Sequence, residues 1–173
     1  MKQLTGTELK RLHRQWRKHE PPRLALMLEG LGGPFNLGSI LRTAAAYRVE
    51  HLYLAGMQID PTSTNVGKTA LGADRYVPWT VHEDFAAAAG VVREAGHSLV
   101  GLELADRAVP MHEASFDGPV CLVIGHEDRG LSKNALAECD QVVFLPQLGR
   151  IGSLNVATAT SIAIYEARRA AWG

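Results

Sequence analysis

A loop near the end of the chain combines small polar side chains with exposed backbone at the start of a helix. Ser153 and Asn155 follow a glycine-containing loop and directly precede an apolar stretch that begins at Val156. The first turn of a helix has backbone N–H groups without intrahelical partners, and these groups favour polar or anionic ligands. We therefore predict a ligand site here, with simple N-capping by Ser153 or Asn155 as the alternative. Apolar side chains that could hold a flat purine surround this loop: Leu145, Leu148, Ile151 and Leu154.

A glycine-rich segment from Gly30 to Gly38 follows an apolar run and opens a predicted helix. Turns of this kind commonly receive a nucleotide or a phosphate. The dinucleotide-binding fingerprint fails because Phe35 stands where its third glycine belongs, and the Walker A motif fails because no lysine follows Gly38. Neither familiar phosphate-binding loop is therefore predicted.

Asn36 and Arg42 are the remaining side chains of this segment that could do chemistry. Asn36 lies near the predicted helix start, and Arg42 lies six residues later within the apolar run Ile40–Ala46. An arginine buried there has to find an anion or a hydrogen-bond acceptor, because burying an unpaired charge is costly. Arg42 is thus a candidate for substrate contact, with a structural ion pair to an aspartate or glutamate as the alternative.

A third polar cluster follows the apolar run Val120–Ile124. Gly125, His126 and Glu127 come directly after it, and in open α/β sheets ligands bind at the carboxyl ends of strands. Glu127 is a candidate for binding a ligand or orienting a loop, with plain loop surface as the alternative. Position 130 is glycine, so no His-Glu-x-x-His motif is present, and no other spacing of candidate ligands predicts a metal site.

Alternating strand-like and helical patterns must position these residues. Strands are predicted over Leu24–Leu28, His51–Leu54, Tyr76–Trp79, Ser98–Leu102, Val120–Ile124 and Val142–Leu145. Helices are predicted over Asn36–Tyr47, Thr64–Leu71, His82–Ala95, Ser132–Glu138 and Val156–Ala170. This alternation predicts an α/β fold with a parallel sheet covered by helices on both faces. The last helix is apolar on nearly all sides, so we expect it to be fully covered, within one subunit or at a two-fold interface.

A separate basic helix is predicted over residues 1–22, ahead of a domain over residues 23–173. Residues 1–23 carry seven Lys and Arg against two Glu, although the whole chain has no net charge. Thr5 and Glu8 have the spacing of a capping box. The helix should dock by its apolar stripe, which is Leu9, Leu12 and Trp16. Its other face would bind an anionic polymer, with a merely solvated face as the alternative; that face carries Lys10, Arg14 and Lys18.

Composition indicates one sizeable folded core. The chain has 173 residues, of which 46% are apolar and 21% charged. No stretch reaches the roughly 18 uninterrupted apolar residues of a membrane span, and the N-terminus lacks an apolar signal-peptide core, so we expect a cytoplasmic protein without a membrane partner. Cys121 and Cys139 are expected to be reduced thiols in or near the core.

Taken together, the three polar segments resemble the three motifs of the SpoU/TrmH branch of the SPOUT RNA methyltransferases. The resemblance covers about residues 24–170, and four matches in the same order make it specific. The first three matches are Asn36 with Arg42, Gly125-x-Glu127 with Gly130-Leu131-Ser132, and Leu145-Pro146 with Ser153-Leu154-Asn155. The fourth is Lys68-Thr69-Ala70-Leu71-Gly72-Ala73 followed by Val77-Pro78-Trp79.

This resemblance implies a parallel α/β domain with a deep C-terminal trefoil knot, which is a rare topology. It implies S-adenosyl-L-methionine as the methyl donor and a homodimer with each active site at the subunit interface. It also implies methyl transfer to a ribose 2′-hydroxyl of RNA, with tRNA favoured over rRNA because the chain is compact. No metal is implied.

The resemblance also assigns roles to individual residues. Arg42 would activate the 2′-hydroxyl with support from Asn36, while Glu127, Ser153 and Asn155 would shape the catalytic pocket. The implied cofactor-binding residues are Leu102, Gly125, Leu145, Leu148, Ser153 and Leu154. The residues predicted to bind RNA are Arg42, from the resemblance, and Lys10, Arg14 and Lys18, from the charge pattern of the N-terminal helix. His126 departs from the family pattern, which often has asparagine there.

The chemical role of Arg42 and the function class both stay open at this point. Arg42 acts either as the base, although the high pKa of a guanidinium makes arginine a poor one, or as an electrostatic stabiliser of the developing alkoxide, with an adjacent RNA phosphate helping to take the proton. One alternative function is a non-catalytic RNA-binding module that retains the cofactor pocket. Another is a nucleotide-phosphate enzyme that uses the Gly30–Gly38 loop.

Overall fold

The computed structural model describes residues 1–169 and Trp172. Across these residues seven strands form one sheet in the order β3-β2-β1-β6-β4-β7-β5, and every pairing is parallel. The strands are β1 (Leu24–Glu29), β2 (Leu52–Ala55), β3 (Trp79–His82), β4 (Ser98–Leu102), β5 (Val109–Pro110), β6 (Val120–Ile124) and β7 (Gln141–Phe144). The predicted parallel sheet is confirmed.

Helices cover both faces of this sheet, because side chains alternate between the faces along each strand. In β1, Leu24, Leu26 and Leu28 pack on one face, and Ala25 and Met27 pack on the other. The helices are α1 (Gly6–Trp16), α2 (Pro34–Ala46), α3 (Thr64–Ala70), α4 (Phe85–Glu94), α5 (Lys133–Glu138) and α6 (Val156–Arg169). The first face carries α2, α3 and α6, and the second carries α4 and α5.

Two predicted boundaries around the third strand are wrong. The prediction placed a strand at Tyr76–Trp79, but a 3₁₀ turn at Ala73–Tyr76 occupies this region and β3 begins at Trp79. Pro78 has no N–H to give to a strand ladder, so pairing starts only after it. The next helix was predicted from His82, which instead belongs to β3, because Asp84 caps α4 by accepting a hydrogen bond from the Ala87 N–H.

Other differences lie at the edges of the fold. The short edge strand β5 was not predicted, because two residues are too few for a periodic signal. The predicted helix end at Ala170 and the domain end at Gly173 lie outside the described residues. Cys121 is buried and Cys139 is partly buried, and both are free, as predicted. Of the helices that the structure describes, none combines the length and apolar character that crossing a membrane requires.

Helix α1 forms with its predicted capping box but does not dock as predicted. The Glu8 N–H donates to Thr5 Oγ1 at 3.4 Å, and the Thr5 N–H donates to Glu8 Oε2 at 2.7 Å. The apolar stripe Leu9, Leu12 and Trp16 is nevertheless exposed, because α1 contributes no residue to either core cluster of the sheet.

Full burial of the last helix is also not observed. Ala163 and Ile164 of α6 are buried against the sheet, but Ile162 and Tyr165 are 43% and 44% exposed on the outer side of the same helix. An apolar outer stripe is therefore left uncovered within a single chain.

Gly38 lets α2 and α3 pack closely. A Cβ at Gly38 would overlap Thr69 Oγ1 and the Val66 carbonyl oxygen and would lie 2.9 Å from the Ala70 nitrogen. Thr69 Oγ1 also donates to the carbonyl of Phe35 at 3.0 Å, so α3 braces the helix that carries Asn36.

Gly38→Ala is expected to lower the free energy of unfolding by about 2 kcal/mol, because backbone atoms of α3 must move apart. Urea denaturation measures this change. Gly67→Ala is the matched control, since Gly67 also lies in a helix but has open space around its Cβ position, and it should not destabilise the protein. Equal losses in the two variants would contradict the close α2–α3 contact.

Candidate active site

One cavity, which we call the edge cavity, lies at the carboxyl edge of the sheet, where the loops after β4, β6 and β7 meet. Apolar side chains form much of its wall, and two carboxylates, those of Glu103 and Glu127, also line it. The lining residues are Leu102, Glu103, Leu104, Ile124, Gly125, His126, Glu127, Gly130, Phe144, Leu145, Gln147, Ser153, Leu154, Val156 and Ala159.

The structure brings together five of the six residues predicted to bind a cofactor. Those that line the edge cavity are Leu102, Gly125, Leu145, Ser153 and Leu154. Leu148 does not line it, and its side chain is fully exposed at 103%. Residues 146–155 are all exposed, so this loop has no packed surface against which Leu148 could turn inward.

Glu127 connects the loop after β6 to the start of α2. Its Oε1 accepts hydrogen bonds from the Gly33 N–H at 2.9 Å and from Asn36 Nδ2 at 3.0 Å. Its Oε2 accepts from the Gly32 N–H at 3.0 Å. Three donors on one carboxylate hold the two loops in a single arrangement. Glu127 is thus an organising residue of the site rather than plain loop surface.

Asn155 extends this network to the start of α6. Its Nδ2 donates to Asn36 Oδ1 at 3.1 Å, while its Oδ1 accepts from the N–H groups of Ala157 and Thr158 at 3.0 and 3.2 Å. Asn155 is therefore the N-cap of α6 and a contact of Asn36 at once. The chain of hydrogen bonds Glu127–Asn36–Asn155 joins the three predicted segments.

The protonation state of Glu127 follows from these contacts. Burial alone would raise the pKa of its carboxyl, but the hydrogen bonds from Gly32, Asn36 and Gly33 outweigh burial and lower the pKa below its usual value. Glu127 is therefore ionised at neutral pH. A general base works best with a pKa near the operating pH, so Glu127 suits a structural acceptor better than a proton acceptor.

Two further carboxylates hold the loop that follows β6. Glu103 Oε2 accepts from the Leu131 N–H at 2.9 Å, and Glu29 Oε2 accepts from the Ser132 N–H at 2.9 Å. Neither residue was predicted from the sequence. The available signal was their position, because Glu29 ends β1 and Glu103 directly follows β4, at the sheet edge where ligands bind.

The same loop closes on itself through its backbone. His126 and Gly130 exchange two backbone hydrogen bonds of 3.1 and 2.9 Å, and Gly130 has a φ of +65°, in the left-handed region that favours glycine. His126 Nδ1 accepts from the Asp128 N–H at 3.0 Å. Histidine therefore supports the loop at the position where the resemblance suggested asparagine.

Arg42 is exposed, although its apolar neighbours in the sequence suggested that it would be buried. It does not line the edge cavity, and among the described residues it has no hydrogen bond or ion pair. The expectation that it is buried is wrong, because the helix turns it outward between the buried residues Leu41 and Ala44. Six residues of helix separate it from Asn36 by about 9 Å along the axis and about 120° around it.

The predicted RNA-binding residues of α1 stand apart from the edge cavity. Lys10, Arg14 and Lys18 are all exposed on the helix or directly after it. Helix α1 leads into the amino end of β1, whereas the edge cavity lies at the carboxyl ends of the strands. An anionic polymer that contacts both α1 and the edge cavity must therefore extend from the amino edge of the sheet to its carboxyl edge.

The sequence model of the SpoU rRNA Methylase family matches residues 23–165. The chain belongs to this family. The matched region contains the whole hydrogen-bond network of Glu127, Asn36 and Asn155 and every residue that lines the edge cavity. Helix α1 precedes the matched region, so family membership alone does not account for it.

Individual relatives of this chain are described as RNA methyltransferases. An uncharacterized tRNA/rRNA methyltransferase of Synechocystis is 35% identical over 158 residues, which is 91% of this chain and 57% of that protein. An AdoMet-bound rRNA methyltransferase from Sinorhizobium meliloti matches with a TM-score of 0.82 and 31% identity, over 87% of this chain and 57% of that one. The chain thus covers less than two thirds of these two relatives.

A third match is a solved structure that this chain covers almost completely. It is a structure described as giving insight into the 2-OH methylation of C/U34 on tRNA. The TM-score is 0.78 and the identity 30%, over 93% of this chain and 98% of that chain.

Proposed function

We propose that the protein is an S-adenosyl-L-methionine-dependent RNA methyltransferase that modifies a ribose 2′-hydroxyl. The observation that carries the proposal is the Glu127–Asn36–Asn155 network, which assembles the three family segments beside one cavity. tRNA is the proposed substrate class, with rRNA second, because the relative that this chain covers almost completely is described in terms of tRNA.

The edge cavity fits the proposed cofactor chemically. Leu102, Ile124 and Leu145 supply an apolar wall suited to an adenine ring. Within the described chain, residues 145–154 form no backbone–backbone hydrogen bonds, so their N–H and C=O groups are available to a ligand. Leu102, Gly125, Leu145, Ser153 and Leu154 would hold the cofactor, and its sulfonium would supply an electrophilic methyl group.

The protein then has to place and activate the ribose hydroxyl. Arg42 suits the stabilisation of a developing alkoxide, because its guanidinium stays charged and holds its N–H donors in a fixed planar geometry. An adjacent RNA phosphate would accept the proton. Glu127 keeps Asn36 in place with its lone pairs already engaged, and Asn155 holds the other side of Asn36.

We further propose a homodimer in which Arg42 of one subunit completes the active site at the edge cavity of the partner. Two observations support this arrangement. Arg42 does not line the cavity of its own chain, and α6 leaves Ile162 exposed. Thr43 Oγ1 and Ser161 Oγ lie 2.9 Å apart, so α2 and α6 form one continuous surface.

Ile162→Glu is expected to convert the dimer to a monomer, because a charge would be buried at a two-fold contact. Sedimentation velocity at micromolar concentration measures the change. Val91→Glu on α4 is the matched control, since Val91 is 42% exposed on the opposite face and should leave the dimer intact. A wild-type monomer, or a dimer that tolerates glutamate at Ile162, would remove the proposed interface.

The same proposal places the protein in the cytoplasm and divides it into a basic helix over residues 1–22 and a domain that starts at residue 23. It also includes a deep trefoil knot formed by the C-terminal segment of that domain. Two observations support the knot. Strand β7 lies between β4 and β5, although β5 and β6 precede it in the chain. The loop that leaves β7 meets the loops after β4 and β6 around the edge cavity.

A methyl-transfer assay tests the activity directly. Tritiated S-adenosyl-L-methionine and purified protein should label total tRNA, and nucleoside mass spectrometry should find the label in a 2′-O-methylated ribose. RNA binding without turnover would instead make the protein a non-catalytic RNA-binding module. Calorimetry that detects ATP or GTP binding but no S-adenosyl-L-methionine binding would point to the nucleotide-phosphate enzyme.

A further inference from the structure

A groove at the amino edge of the sheet lies between α1 and the carboxyl ends of α2 and α6. We call it the α1 groove. Its volume is about 710 Å³. Its described lining consists of His13, Trp16, Arg17, His19, Pro21, Ala45, Ala46, Tyr47, Arg48, Arg168 and Trp172. The groove and the edge cavity share no residue and lie at opposite edges of the sheet.

Aromatic rings run along this groove from α1 to α6. The Trp16 ring lies 5.0 Å from His19 and 5.6 Å from Trp172 between centroids. Trp172 continues to Tyr165 at 5.7 Å, and Tyr165 continues to Tyr47 at 6.0 Å. Trp16 is 51% exposed, so it presents a flat surface to solvent. Such a surface suits a second flat ring.

No carboxylate among the described residues forms an ion pair with the arginines beside these rings. The lining includes the guanidinium groups of Arg17, Arg48 and Arg168, and it contains no Asp or Glu among the described residues. Arg48 donates to the carbonyls of Arg17 and His19 at 3.2 and 2.9 Å, and Arg168 donates to the carbonyl of Tyr47 at 2.9 Å. Carbonyl oxygens satisfy these donors but do not neutralise their charge, so the groove favours an anion.

We infer that the α1 groove binds an unpaired nucleotide of the RNA substrate, with its base stacked on Trp16 and its phosphates beside Arg17 and Arg48. Exposed aromatic rings flanked by cations are how proteins hold single-stranded nucleic acid. The inference rests on the proposed function in taking RNA as the partner. It adds a second contact site, far from the reacting ribose, to the one at the edge cavity.

A second copy of the chain fits this groove less well than RNA does. A two-fold contact places the same surface against itself, so the basic segment of residues 1–23 would face its own positive charge.

Helix α2 runs from the Asn36 network to the groove over 13 residues, or roughly 20 Å. An RNA that reaches both sites is therefore selected by its shape as well as by the nucleotide at the cavity.

Fluorescence anisotropy with a labelled single-stranded oligoadenylate, in the absence of cofactor, tests the groove. Trp16→Leu removes the ring and keeps an apolar side chain, and it should weaken binding about tenfold. Trp16→Phe keeps a stacking ring and should bind nearly as the wild type does. Arg17→Ala should lower the salt dependence of binding by about one phosphate contact, whereas Lys133→Ala on α5 should leave it unchanged.

Three outcomes would overturn the inference: equal affinity of Trp16→Leu and wild type, no binding of the oligoadenylate by the wild type, or a shift from dimer to monomer in Trp16→Leu. The last outcome would assign the groove to a subunit contact. Circular dichroism checks that each variant is folded. Methyl transfer and cofactor binding by the wild type are measured separately, so failure of the proposed function and failure of the groove give different results.

Discussion

Arg42→Ala is expected to reduce the rate of methyl transfer about 100-fold or more while leaving the affinity for S-adenosyl-L-methionine within about twofold. Removing a group that stabilises developing negative charge typically costs this much in rate. Cofactor affinity should persist because Arg42 does not line the edge cavity of its own chain. Its exposure also means that the substitution should not unfold the protein.

Single-turnover labelling of tRNA and calorimetric titration of the cofactor measure the two effects separately. Arg42→Lys keeps the charge but loses the fork of donors, so its rate should fall between wild type and alanine. Labelling by Arg42→Ala at the wild-type rate would remove Arg42 from the reaction.

Mixed dimers locate the cavity that Arg42 serves. In a dimer of one Arg42→Ala subunit and one Asn155→Ala subunit, an arginine acting on the partner's cavity leaves one site with both wild-type groups. Activity should therefore return, although each homodimer is impaired. An inactive mixed dimer would instead place Arg42 in the site of its own chain.

Glu127→Gln is expected to lower the free energy of unfolding at neutral pH by about 3 kcal/mol. The carboxylate accepts hydrogen bonds from Gly32, Gly33 and Asn36, and hydrogen bonds to a charged group contribute roughly 1.5–3 kcal/mol each. The amide of glutamine presents an NH₂ group where one of these donors now points. Urea denaturation measures the loss, and cofactor binding should weaken in parallel because Glu127 also borders the edge cavity.

The pH dependence of this loss follows from the lowered pKa of Glu127. Its stabilisation is fully present above the pKa of an unfolded glutamate, about 4.3, and disappears as the pH falls through the lower pKa of the folded protein. The difference between wild type and Glu127→Gln should therefore be large at neutral pH and shrink in acid. Glu138→Gln on α5 replaces an exposed glutamate and should show neither effect. A difference that stays constant down to low pH would rule out the ionised network.

Much of the sheet was predictable from local patterns. Ser98–Leu102 and Val120–Ile124 were predicted with the bounds that β4 and β6 have, because continuous apolar runs between turn residues are typical of strands buried on both faces. The prediction failed at β3, where Pro78 and a 3₁₀ turn replaced the expected strand start. The two-residue strand β5 carries no periodicity at all.

The candidate site was predictable in composition but only partly in geometry. Glu127, Asn36 and Asn155 were singled out by residue type and by their place at element ends. Their contacts join positions that are 91 and 119 residues apart, and local patterns hold no information on such pairs. Leu148 shows the converse error, because an apolar side chain in a loop is not drawn inward unless a packed surface lies beside it.

The sequence by itself determined most of the strands and helices and several of the polar residues at the carboxyl ends of the strands, because side-chain periodicity and capping act over a few residues. Only the tertiary structure decided that Glu127 turns towards Gly32, Gly33 and Asn36, that Arg42 stays outside the lining of the edge cavity of its own chain, and that Trp16 stays exposed. These outcomes depend on how the sheet and its helices pack against one another, and that packing sums contacts over the whole chain rather than over any one segment.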